Sequence, residues 1–95
     1  MPAVARIGDA NVSHCSGMVQ AEGSGNVFVN GRPWSREGDN NTVHLKPCGD
    51  SCCPHSAPIS SGSSSVFVNG FAAGRVGDPT CTSIAEGSPD VFAGG

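Results

Sequence analysis

The chain has no tyrosine, a single tryptophan and only four phenylalanines in 95 residues. It therefore lacks the row of aromatic faces on which single-stranded nucleic acid stacks. Positive charge is equally thin: Arg6, Arg32, Arg36, Lys46 and Arg75 stand singly, and the net charge is −3. Without a basic stripe to neutralise phosphates, a nucleic-acid partner is not expected. No apolar run approaches the ~20 residues of a membrane-spanning helix. The opening MPAVARIGD also lacks the apolar core of a signal peptide. The expectation is a protein made in the cytoplasm without a signal peptide. If it leaves the cell, something other than a cleaved signal carries it out.

What is abundant is punctuation. Glycine supplies 14 residues and proline 7, while hydrophobic residues make up 37%. Such a mixture is too apolar in patches for a disordered tail and too broken by turns for long helices. It suits short strands joined by tight turns, hence an all-β fold. A chain of this length is expected to form one small domain, residues 1–95, without an extension domain. Its lean core needs a staple such as a metal, a disulfide or a partner subunit. Five cysteines, Cys15, Cys48, Cys52, Cys53 and Cys81, are an odd number. In a chain made in a reducing cytosol, metal ligation or free thiols are favoured over a disulfide framework.

The element VFVNG occurs at 27–31, recurs letter for letter at 66–70, and returns as VFAGG at 91–95. Each copy follows a Gly-Ser pair: Gly23-Ser24, Gly62-Ser63 and Gly87-Ser88. An R-x-G-D run, Arg36 to Asp39 and Arg75 to Asp78, begins five positions past the last glycine of the first two copies. The third copy has no such run after it, but Arg6 to Asp9 stands unclaimed at the other end of the chain. The repeat is therefore circularly permuted, which predicts a small all-β body with three pseudo-equivalent sectors around one axis. Each VFVNG reads as a short strand ended by an Asn-Gly turn, with the phenylalanines on one face and the flanking valines on the other. Each R-x-G-D reads as a second short strand and a turn. There the glycine takes positive φ and the aspartate bonds its own downstream backbone.

His14 and His44 each lie five positions past the aspartate of their unit, and Cys81 lies three past Asp78. In a threefold arrangement these side chains converge near the axis. His55, the remaining histidine, lies on the longest insertion. Together His14, His44, His55 and Cys81 form a plausible tetrahedral site for one structural zinc ion, with the closed shell of a structural site. The other cysteines leave several readings open. They are inert or compartment-dependent thiols, or Cys48 and Cys52 form a small disulfide, or Cys52 or Cys53 enters the metal shell in place of a histidine. An extended backbone at Cys15 would turn that side chain away from His14.

The N-terminal Pro2-Ala-Val-Ala-Arg-Ile-Gly-Asp9 with His14, the Gly-Ser…VFVNG elements, Arg75-Val-Gly-Asp78-Pro-x-Cys81 and the closing Gly87-Ser-Pro-Asp-Val-Phe resemble a PAAR-repeat protein across essentially the whole chain. Proteins of that family form the spike tip of type VI secretion systems and related contractile phage tails. The resemblance implies a cone of short strands with a metal near its apex, docked by its base on a trimeric β-helical spike of the VgrG type. It implies zinc ligands at His14, His44, His55 and Cys81, a monomer seated on a trimeric partner, and injection by the contractile apparatus with transient membrane contact. The role implied is a piercing cap or an adaptor for separately encoded effectors. The cysteine-rich insertion Lys46 to Pro54 departs from the family pattern.

Two other classes remain to be weighed. A Cys–His hydrolase can be drawn from these residues, but short repeats leave little room for a substrate pocket, and a closed four-ligand shell leaves no site for a metal-bound water. No enzyme is expected. A zinc-stabilised binding module unrelated to secretion would keep the metal but lacks a basic or aromatic face. Within the resemblance, a phage or phage-derived tail-spike tip is the alternative to a type VI tip.

Overall fold

The computed structural model describes residues 1–95 and contains no helix. Its strands are β1 (Phe28–Val29), β2 (Arg32–Pro33), β3 (His44–Cys48), β4 (Ser51–His55), β5 (Phe67–Val68) and β6 (Phe71–Ala72). They pair as three antiparallel hairpins, β1–β2, β3–β4 and β5–β6.

β1–β2 and β5–β6 are the first two VFVNG copies. Asn30 and Asn69 both adopt φ 54°, and Gly31 and Gly70 follow at 78° and 82°. Positive φ at both central residues is the type I′ turn, whose twist matches that of the flanking strands and which Asn-Gly favours. The third copy closes across the chain ends. Ala3 bridges Phe92, Val4 N donates to Val91 O at 3.0 Å, and Ala93 N donates to Pro2 O at 3.0 Å. The N-terminal segment thus occupies the place that β2 and β6 fill in the other sectors, as the permuted repeat requires.

Each Gly-Ser pair has a defined task. Ser24 Oγ accepts from the amides of Asn26 and Val27. Ser63 Oγ does the same for Ser65 and Val66, and Ser88 Oγ for Asp90 and Val91. The preceding glycines lie hard against neighbouring backbone. A Cβ on Gly62 would sit 2.6 Å from Ala73 O, and one on Gly87 would sit 2.6 Å from Val4 O.

The three sectors join through a closed ring of backbone hydrogen bonds. Ala5 N donates to Gly74 O, Gly74 N to Ser35 O and Ser35 N to Ala5 O, each at 2.9 Å. These residues immediately precede Arg6, Arg75 and Arg36, so the ring passes through one equivalent position per sector. The molecule measures 40 × 23 × 23 Å, with two equal short axes, as expected for three sectors about the long one.

The R-x-G-D turns hold their glycines, Gly8, Gly38 and Gly77, at φ 92–93°. The aspartates do not bond downstream backbone as expected from sequence. Instead each carboxylate turns back on its own arginine, accepting both the backbone amide and the guanidinium of the residue three before it: Asp9 with Arg6, Asp39 with Arg36, and Asp78 with Arg75. Five donors on one guanidinium make the reversed arrangement favourable, because it satisfies the orphan amide and the carboxylate at once.

The same guanidiniums reach the neighbouring turn. Arg6 Nη1 and Arg36 Nη1 donate to Asn30 Oδ1 and Asn69 Oδ1, at 3.0 and 3.1 Å. In the third sector Arg75 Nη1 finds the carbonyl of Gly94 at 3.0 Å. The change from VFVNG to VFAGG therefore exchanges a side-chain oxygen for a backbone one and keeps the bond.

Buried hydrophobic residues number nine, against twelve buried polar or charged ones, so hydrogen bonds fill much of the interior. One apolar cluster holds Val4, Val29 and Ala93, and another holds Ala5, Ile59 and Ile84. Along each VFVNG unit the predicted alternation is present. Val29, Val68 and Ala93 are buried while Phe28, Phe67 and Phe92 are exposed.

Candidate metal centre

Below the backbone ring the sectors supply Gln20, Ile59 and Ile84, each buried to 1% exposure or less. Their register is the same: Gly8 N, Gly38 N and Gly77 N donate to their carbonyls at 2.8–2.9 Å. The glutamine is the polar exception, and both ends of its amide are used. Gln20 Nε2 donates to Ser35 Oγ at 3.4 Å, and Asn11 Nδ2 donates to Gln20 Oε1 at 3.0 Å.

Asn11 begins the next layer, with Asn41 and Thr80, each two positions past its aspartate. Asn41 Nδ2 and Thr80 Oγ1 both donate to Asn11 Oδ1, at 3.1 and 2.9 Å. Beyond them stand His14, His44, His55 and Cys81.

Two of these side chains arrive on the β3–β4 hairpin. His44 and His55 are its first cross-strand pair, so the register alone puts their rings on one face. A two-residue turn at Gly49-Asp50, with Gly49 at φ 60°, suits a type II′ geometry and fixes that register. His14 follows the Arg6–Asp9 run and Cys81 follows the Arg75–Asp78 run, so each comes from a different sector. The candidate donor atoms of all four lie within 4.8 Å of one another.

The donors are prepared for a cation. His44 Nδ1 sits 2.8 Å from Thr42 O, which sets the tautomer with the proton on Nδ1 and leaves Nε2 as a lone-pair donor. His44 Nε2 lies 3.4 Å from Cys81 Sγ. A tetrahedron with M–N near 2.0 Å and M–S near 2.3 Å has N–S edges of about 3.5 Å. His14 Nε2 and His55 Nε2 are buried with no hydrogen-bond partner. Orphaned buried nitrogens are costly, and a shared cation answers both at once. Burial pushes the His55 pKa down, and the neighbouring His44, Lys46 and His14 act the same way, a shift toward the neutral ring that metal ligation requires. Asn41 Nδ2 lies 3.7 Å from Cys81 Sγ, a donor aimed at the sulfur. The residues present thus form a group able to hold a metal ion.

The remaining cysteines are paired, and not as Cys48–Cys52. Cys15 bonds Cys52 and Cys48 bonds Cys53. The hairpin register explains both. Cys48 stands opposite Ser51 and Pro47 opposite Cys52, so Cys48 and Cys52 point to opposite faces of the ribbon. Cys53 shares the face of Cys48 and lies diagonal to it, whereas Cys52 is turned toward Cys15. Neither Cys52 nor Cys53 enters the donor group, and residues 14–16 form a bend rather than the extended backbone expected at Cys15. Sequence reasoning missed Asn11, Asn41 and Thr80. Their common spacing from the R-x-G-D aspartates was the signal available.

Residues 48–95, half of the chain, match the sequence model of the family described as PAAR motif. The match takes in His55 and Cys81, the second VFVNG, its R-x-G-D run and VFAGG. His14 and His44 lie outside it and join the site through the repeat register. A comparison with curated proteins finds no match.

Proposed function

The chain belongs to the PAAR motif family, and on that premise we propose that it is the metal-stabilised tip of a contractile injection machine. In this reading its base caps the blunt end of a trimeric β-helical spike of the VgrG type. One zinc ion is held at the apex by His14, His44, His55 and Cys81. Three imidazoles and a thiolate suit zinc, a borderline-soft ion with no geometric demand of its own. A four-residue donor set leaves no open coordination position, which favours a structural role over catalysis. The zinc supplies cross-linking between sectors at the end that meets the membrane first.

The observation that carries the reading is the ring of exposed phenylalanines. Phe28, Phe67 and Phe92 occupy one position in each sector and are 56%, 59% and 49% exposed. A threefold partner is met best by a surface that repeats three times, and here one chain provides it. Apolar rings of this size contribute on burial at ~25 cal/mol per Å². Effectors attach as separately encoded proteins, and the protein leaves the cell through the apparatus.

Mixing the untagged protein with a purified trimeric spike and weighing the complex by native mass spectrometry tests this. One chain per trimer is expected. Three chains per trimer, or no complex at micromolar concentrations, would exclude the capping role.

A further inference from the structure

The Cys15–Cys52 disulfide links the two pieces of chain that carry histidines of the donor group. Cys15 adjoins His14, and Cys52 lies on β4, which ends at His55 and pairs residue for residue with the strand that begins at His44. Apart from this bond, the His14 segment is held to the hairpin by few contacts. Cys15 N donates to Leu45 O at 3.1 Å, and Ser16 Oγ accepts from Leu45 N at 2.9 Å. The two cysteines are 37 positions apart and both are exposed to solvent. The Cys48–Cys53 bond has a different character. It spans five positions and ties β3 to β4, which are already paired.

We propose that Cys15–Cys52 is a redox-operated lock on the metal group. It is open as two thiols where the chain is made and closed where the chain meets an oxidising medium. The idea rests on the metal reading above. Release of a cation from a four-residue site proceeds ligand by ligand, and the first ligand must swing clear while the others hold. His14 lies on its own segment, so it is the histidine best able to leave. A covalent bond at the adjacent residue confines that segment to the hairpin, so the ring falls back before the next ligand departs.

Closing the lock needs a two-electron acceptor, and a small disulfide such as oxidised glutathione suffices. One cysteine thiolate of the pair attacks the glutathione disulfide, forming a mixed disulfide and expelling a glutathione thiolate. The second cysteine thiolate then displaces the other glutathione, forming the Sγ–Sγ bond. Two protein thiols are oxidised and two molecules of reduced glutathione are produced, taking up the two protons. Exposure of both residues gives the small disulfide access, and a thiol reductant opens the bond by the reverse steps.

The test follows zinc release into a chromophoric chelator from oxidised protein and from protein reduced with a phosphine. It is run for wild type, the pair Cys15→Ser/Cys52→Ser and the pair Cys48→Ser/Cys53→Ser. Reduction of wild type should speed release at least about tenfold, given the long loop that the bond closes. The first pair should release fast in both states, and the second should keep the redox dependence of wild type. Wild type needs no substitution to be switched, so a variant that fails to fold leaves the comparison intact. Zinc bound in both states but released at equal rates would overturn the lock and leave the metal site standing. No zinc in either state would overturn both. Peptide mapping of oxidised protein that found Cys48 joined to Cys52 would also end the proposal.

Discussion

His44 and His55 face each other across the first rung of the β3–β4 hairpin, with ring centroids 4.3 Å apart. A single strand register therefore supplies half of the donor group, and the sectors carrying His14 and Cys81 supply the other half. The metal would hold together three separate parts of the chain: the His14 segment, the β3–β4 hairpin and the Cys81 segment. That arrangement has consequences for stability that differ from one layer to the next.

Gly74→Ala should destabilise the protein more than most glycine substitutions. Its Cβ would meet Ser35 O at 2.7 Å and Ile59 Cδ1 at 2.8 Å, inside the backbone ring that joins the sectors. Overpacking of this kind costs about 1–3 kcal/mol. Gly25→Ala, where nothing lies within 4 Å, is the control. Thermal denaturation of the two variants measures the difference.

Asp9→Asn should be costlier than Asp39→Asn. Asp9 receives Arg6 and Arg32 at 2.9 and 3.0 Å, and its side chain is 3% exposed with Arg6 at 8%. Removing that charge leaves a buried guanidinium without a counter-ion, a loss of about 3–5 kcal/mol. At Asp39 the side chain is 11% exposed and its partner Arg36 is 18% exposed, so water compensates part of the loss. Urea unfolding at neutral pH would rank the two.

Much of this organisation is legible in the sequence, and the reason is repetition. The permuted units, the Asn-Gly turns, the alternation of Phe28 with Val29 and the convergence of His14, His44 and Cys81 all follow from one register. The parts that do not repeat were hidden. The insertion from Lys46 to Pro54 has no copy to align with, so its hairpin register, and with it the cysteine pairing, had no counterpart to be read from. The aspartates were misread for a different reason. Spacing shows that an arginine and an aspartate recur together, but not which backbone amide wins the carboxylate. Gln20 likewise breaks the pattern of Ile59 and Ile84 only because Asn11 and Ser35 wait to bond it.

Acid sensitivity should contain a contribution from Asp90. Hydrogen bonds from Asn30 and from Ser88 hold its pKa below the ordinary carboxylate range. A depressed folded pKa means that the folded state binds the proton less readily than the unfolded chain. The stabilisation is therefore present above the unfolded pKa and lost as pH falls through the folded one. The stability difference between wild type and Asp90→Asn should shrink between roughly pH 5 and pH 2. Chemical denaturation across that range would show it, and a flat difference would contradict it.

Phe67→Ser should separate docking from folding. The side chain is 59% exposed, so its loss should change stability by about 1 kcal/mol or less. Affinity for a trimeric spike should fall nevertheless, because the apolar face then repeats only twice. Calorimetric titration of variant and wild type against the same spike gives the comparison.

The most direct measurement is the metal content of untagged wild-type protein and of His14→Ala by elemental analysis, with the thermal midpoint of each. Wild type should carry one zinc per chain, and His14→Ala should lose both the metal and much of its thermal stability. Folded wild-type protein without bound metal would contradict the site and remove the apex from the account.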